Sequence, residues 1–190
     1  MIRTGIFGGS FNPIHNGHIQ LARQLREAAR LDEVWLMVSP QNPLKQQAGL
    51  LADDLRLQLA RQAVQDEPGI TVSDYEFHLP RPSYTWNTLQ ALTADFADRE
   101  FVLMIGGDNW ENFQRWYRAD DIVSSYRLVV YPRRGSTIDR AKLPPTVQVV
   151  DAELLDISST DIRRRVRQGK PITGLVPDSL IADVTRYYTP

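Results

Sequence analysis

The sequence predicts an α/β fold, a single doubly wound three-layer domain built on a mainly parallel sheet. Three observations carry that expectation. Compact β-rich runs alternate with longer stretches of helical period, the runs are apolar throughout instead of alternating, and two of them end in paired glycines. Strands covered on both faces read this way, and a sheet of such strands gathers its ligands at their carboxyl ends.

The first run occupies residues 2–7, and a helical period follows over 19–29. A strand at 34–38 and a helix over 53–64 repeat the unit, and the pattern resumes with a strand at 70–72, a helix over 84–96 and an apolar strand at 101–105. Later strands fall at 128–131 and 147–150, and 177–188 reads as one amphipathic closing helix. The proline-rich stretches 40–43, 80–82 and 144–145 are loops, not linkers, so residues 1–190 are expected to form one domain, its helical part from about 157 onward completing the site.

Composition limits the partners. A net charge of −1 and a pI near 6.3 argue against a nucleic-acid binder that works through a bulk positive field, so any phosphate chemistry must be concentrated locally. There is no cysteine, which excludes disulfides and thiolate metal sites. Residues 1–9 lack the basic and long apolar regions of a signal peptide, and no run approaches membrane-spanning length, so the expectation is a cytoplasmic protein without membrane or nucleic-acid partners.

Chemistry is densest after the first strand, where the chain reads Gly8-Gly9-Ser10-Phe11-Asn12-Pro13-Ile14-His15-Asn16-Gly17-His18. Two glycines permit a tight turn and close approach to a ligand, and the helix that follows presents unpaired N–H groups and a positive dipole end to an anion. His15 and His18, three residues apart, can converge on one group; a bound triphosphate would favour their protonated forms, making them clamps more than bases. A tight turn with two surface or metal-binding histidines is the competing reading.

At these residues the chain resembles the nucleotidylyltransferase superfamily with its Rossmann-like fold, and within it the bacterial nicotinate-nucleotide adenylyltransferases. The segment Ile157-Ser158-Ser159-Thr160-Asp161-Ile162-Arg163 is similar to the family's second signature, and Ser158 with Asp161 fits a capping-box helix start. The resemblance implies catalytic roles for His15, His18 and Arg163. It implies ATP contacts at Gly8, Gly9, Ser10, Phe11, Gly106, Asp108, Ser158, Ser159 and Thr160, with Mg²⁺ arriving on ATP. It places Asn12, Lys45, Tyr84, Thr85 and Trp116 at the mononucleotide, together with Arg133 or Arg134, between which the sequence does not choose. Bland readings stand beside several of these: capping for Ser83, Thr85 and Asp108, packing for Trp116, a solvated basic face for the helix after Ser158. Leu44 stands where the family usually has histidine, and residues 77–82 depart from its glycine and arginine pattern. The implied reaction transfers AMP from ATP to nicotinate mononucleotide, giving deamido-NAD and pyrophosphate. Nicotinamide mononucleotide or phosphopantetheine as acceptor, a catalytically silent nucleotide sensor, and a domain like those of class I aminoacyl-tRNA synthetases are the alternatives; a homo-oligomer is compatible with all of them.

Overall fold

The structure, a computed structural model, describes residues 1–41 and 49–190; Lys45 lies outside the described residues. Six strands, β1 (Ile2–Gly9), β2 (Glu33–Val38), β3 (Ile70–Ser73), β4 (Arg99–Gly106), β5 (Arg127–Tyr131) and β6 (Val147–Val149), form one sheet in the order β3-β2-β1-β4-β5-β6. Each pairing is parallel, with Phe7 opposite Leu36 of β2 and Met104 of β4. The strand order reverses between β1 and β4, so the crevice at their carboxyl ends, where Gly8-Gly9 and Gly106 lie, is the place such a sheet offers to a ligand.

The helices α1 (Asn16–Ala28), α2 (Asp53–Ala63), α3 (Thr85–Asp95), α4 (Gly107–Glu111), α5 (Ala119–Ser125), α6 (Ser159–Arg167) and α7 (Ile181–Tyr188) flank the sheet. Alternate strand residues feed two separate cores. Phe7, Leu36, Met104 and Val129 pack with Leu25 of α1, Leu59 of α2, Ile162 of α6 and Val184 of α7. Ile6, Met37, Leu103 and Val130 pack with Leu89 of α3 and Ile122 of α5. Both faces of every central strand are thereby covered, which explains why these strands read as continuous apolar runs.

The expected elements are present, with three differences. Helix α1 begins at Asn16 because His15 caps it. Helices α4 and α5 are five and seven residues long, too short to show a period in the sequence. The closing segment opens as a 3₁₀ turn, Asp178–Leu180, and becomes α-helical only at Ile181.

Helix α7 ends inside the protein. Tyr188 is buried, and its hydroxyl donates to Asn12 Oδ1 at 2.6 Å. That oxygen also accepts from Leu51 N at 3.1 Å, so removing the tyrosine hydroxyl leaves it one partner. Tyr188→Phe should therefore lower stability by about 1 kcal/mol, read as the shift of the urea midpoint at unchanged slope.

Candidate active site

The loop after β1 is built around a buried aromatic. Phe11 has φ of 46°, the left-handed region that bulky residues avoid, and costs on the order of 1–3 kcal/mol of local strain. Burial holds it there: the ring is 2 % exposed and meets Phe7 edge-on at 6.1 Å and His18 at 5.0 Å. Phe11 thus supports the loop from beneath instead of facing a ligand. Above it lie Gly8, Gly9 and Ser10, all on the wall of a cavity of about 360 Å³. A methyl group at Gly8 would meet nothing within 4 Å. Its side opens on free space, so the need for glycine there falls on the ligand and not on the fold. Gly8→Ala should keep the wild-type melting temperature yet raise the KM for nucleotide about tenfold or more, measured by thermal unfolding and initial rates; a lowered melting temperature would contradict this.

His15 and His18 bind each other's backbone. His15 N donates to His18 Nδ1 at 3.2 Å, His18 N donates to His15 Nδ1 at 3.3 Å, and the rings stack with centroids 3.7 Å apart. Because each Nδ1 accepts, each neutral ring carries its proton on Nε2 and presents a donor without being charged. Burial, with a smaller contribution from the Arg133 charge, lowers the His15 pKa to about 4. Burial, the neighbouring His15 and Arg133 hold His18 well below its ordinary value. Without an anion the pair is neutral, and the protonated forms expected from the sequence require the ligand's negative charge. Folded His15 binds fewer protons than unfolded His15 between about pH 4 and 6.5, so its contribution to stability falls as pH drops through that window, by ~3 kcal/mol in full. Imidazole ¹⁵N NMR of the free protein should show both rings neutral and Nε2-protonated at pH 6; a His15 midpoint near 6.5 would overturn this.

The segment read as the family's second signature arrives from the far end of the chain. Ser158 caps α6, its Oγ accepting from Asp161 N at 3.1 Å. The Asp161 carboxylate pairs with Arg164 and Arg165 and does not complete the expected capping box. Ser159 Oγ donates to Pro13 O at 2.8 Å, and Arg163 donates through Nη1 to Asn12 O at 2.8 Å and through Nη2 to Thr160 Oγ1 at 3.3 Å. The amino end of α6 therefore lies against the loop that holds the histidines.

The remaining expected residues divide. Thr85 and Trp116 line the cavity, together with Gly106 and Asn109 at the end of β4. A methyl group at Gly106 would come within 2.5 Å of Asp108 Oδ1 and 2.9 Å of Arg133 Cγ, so both of these exposed side chains would have to shift. Asp108 is exposed at the start of α4, 3.9 Å from Arg133 Nε. Arg133 lies beside Asp108, and its charge acts on both histidines; the sequence does not choose between it and Arg134. The Tyr84 side chain is not brought to the cavity wall; it is 45 % exposed against the Tyr117 ring at 5.0 Å. Asn12 is likewise tied to the fold: buried, it donates from Nδ2 to Gly49 O at 2.9 Å and accepts at Oδ1 from Leu51 and Tyr188. Trp35, Trp86 and Trp110, read as packing residues, pack against the core on the α3 and α5 side.

Three functional side chains were missed by sequence reasoning. Arg56 is buried entirely and joins the loops beneath the cavity. Glu76 lines the cavity, accepts from Thr88 Oγ1 at 2.9 Å, and has its pKa raised by burial against the opposing hydrogen bonds. Arg81 lines the same wall. An arginine inside a helical period carries no motif that would have marked it, and Arg81 falls in the stretch 77–82, which departs from the family's glycine and arginine pattern.

The crevice at the switch point, the two converging loops and the histidine pair define a nucleotide-handling α/β enzyme. A family model described as Cytidylyltransferase-like matches residues 6–165. A protein of Bacteroides fragilis named "Probable nicotinate-nucleotide adenylyltransferase" is 54 % identical over 90 % of this chain and 85 % of its own length, and one of the same name from Bacteroides thetaiotaomicron is 48 % identical over 90 % and 85 %. The chain belongs to the nicotinate-nucleotide adenylyltransferase family. Its fold is shared by the nicotinic acid mononucleotide adenylyltransferase of Plasmodium falciparum complexed with NaAD, at a TM-score of 0.82 and 18 % identity over 98 % of this chain and 96 % of that one.

Proposed function

We propose that the chain transfers AMP from ATP to nicotinate mononucleotide, yielding deamido-NAD and pyrophosphate. The observation that carries this reading is the meeting of two phosphate-binding segments at the carboxyl end of β1: His15 and His18 on one side, and the α6 amino end with Arg163 bonded to Asn12 O on the other. An oxygen of the mononucleotide 5′-phosphate attacks the α-phosphorus of ATP in line. The new P–O bond forms as the bond from α-phosphorus to the bridging oxygen breaks, and pyrophosphate leaves with that electron pair. No enzyme group is covalently modified.

Such a reaction is helped chiefly by positioning and by donors that meet growing negative charge. Two Nε2–H donors, Arg163 and Arg133 supply these. Among the described residues no group of three or more His, Asp or Glu forms a metal cage. Mg²⁺ would come with ATP, in keeping with its preference for phosphate and water ligands, and would neutralise phosphate charge. Trp116 and Thr85 line the cavity left for the acceptor, and an indole face suits a flat, electron-poor pyridine ring. Among the described residues no helix is long and apolar enough to cross a membrane.

Pyrophosphate release from Mg²⁺-ATP, compared for nicotinate mononucleotide, nicotinamide mononucleotide and phosphopantetheine, tests the reaction and its acceptor together. The nicotinate compound should be preferred; preference for another acceptor, or no release with any, would overturn the assignment. His18→Ala should lower kcat about 100-fold or more with a smaller effect on mononucleotide KM, as loss of a donor to the transferring group does. Trp116→Ala should instead raise mononucleotide KM and leave ATP KM nearly unchanged; equal effects on both would remove the ring platform.

A further inference from the structure

Arg81 lies on the cavity wall, 37 % exposed, with Nη2 3.3 Å from Asp53 Oδ2. Taken alone that is a surface ion pair of little weight. Its setting makes it more. Asp53, at the start of α2, also accepts at Oδ1 from Arg56 Nη2 at 2.6 Å and from Gln41 N at 3.0 Å. Arg56 is 0 % exposed, and its other donors reach three carbonyl oxygens: Leu51 at 2.9 Å from Nε, and Ser39 at 2.9 Å and Ser10 at 2.5 Å from Nη1. One buried side chain thus holds the loops after β1 and β2 and the chain leading into α2, and fixes the carboxylate that Arg81 touches.

The Asp53 carboxylate stands between two guanidinium groups, those of Arg56 and Arg81. Glu76, the other carboxyl on this wall, is bonded to Thr88, and burial raises its pKa against that bond. A guanidinium can keep one edge on Asp53 and offer the other, in planar fork geometry, to a carboxylate or phosphate.

We propose that Arg81 is a specificity-determining residue of the acceptor cavity, binding an anionic oxygen group of the incoming mononucleotide, and that Asp53, fixed by Arg56, is its positioning residue. This rests on the adenylyl transfer proposed above. The anion is either the ring carboxylate or the 5′-phosphate, and the test separates them.

Steady-state kinetics of Arg81→Ala should show the KM for nicotinate mononucleotide raised about tenfold or more, the size of effect expected for a lost charge-assisted hydrogen bond, with ATP KM within about twofold of wild type. A rise seen equally with nicotinamide mononucleotide assigns the phosphate; a rise confined to the nicotinate compound assigns the ring carboxylate. Arg81→Lys, which keeps the charge and loses the fork, should fall between wild type and Arg81→Ala. Asp53→Asn should raise acceptor KM in the same direction, with folding checked by thermal unfolding; if it does not fold, the Arg81 pair carries the test. An unchanged acceptor KM in Arg81→Ala, or equal rises for acceptor and ATP, would overturn the proposal. A wild-type chain that releases no pyrophosphate with the nicotinate compound would remove the underlying reaction instead.

Discussion

Four hydrogen bonds meet at Asn12. Its amide nitrogen donates to Gly49 O, its amide oxygen accepts from Leu51 and from Tyr188 at the end of α7, and its backbone carbonyl accepts from Arg163 of α6. Buried polar groups are costly without partners, and here the partners come from three stretches of the chain, residues 49–51, α6 and the end of α7. The loop after β1 is consequently fixed from the α2 side, from α6 and from the carboxyl terminus at once. That junction gives the histidine loop and the amino end of α6, about 150 residues apart in sequence, a shared reference.

The electrostatic design follows from the same placement. The chain as a whole is nearly neutral, and three of its 22 lysines and arginines stand around the crevice: Arg163 on α6, Arg133 after β5 and Arg81 before α3. The histidines beside them are kept neutral by burial and by the Arg133 charge, and donate through Nε2.

Much of this was legible in the sequence, and the reasons it stopped where it did are physical. Parallel strands buried on both faces leave a plain apolar signature, and the Gly8 to His18 loop combines residue types rarely found together by chance, so the fold and one half of the site could be read. The failures share a cause: sequence gives residue types but not which way a side chain turns. Asn12 lies inside the first signature yet holds the fold together. Tyr84, inside another, faces Tyr117. Arg133 and Arg134 are adjacent, and only the path of the chain after β5 separates them. Arg56 stands inside a helical period with nothing in the sequence to set it apart, and its complete burial is visible only in the structure.

A crystal structure of the chain with a non-hydrolysable ATP analogue, Mg²⁺ and nicotinate mononucleotide would test the central claim most directly. The account requires the triphosphate to lie between the two histidines and the amino end of α6, with the α-phosphate within hydrogen-bond reach of His18 Nε2 and the pyridine ring in the cavity beside Trp116. A triphosphate bound away from the carboxyl end of β1, or one held without either Arg163 or the histidine pair, would contradict it.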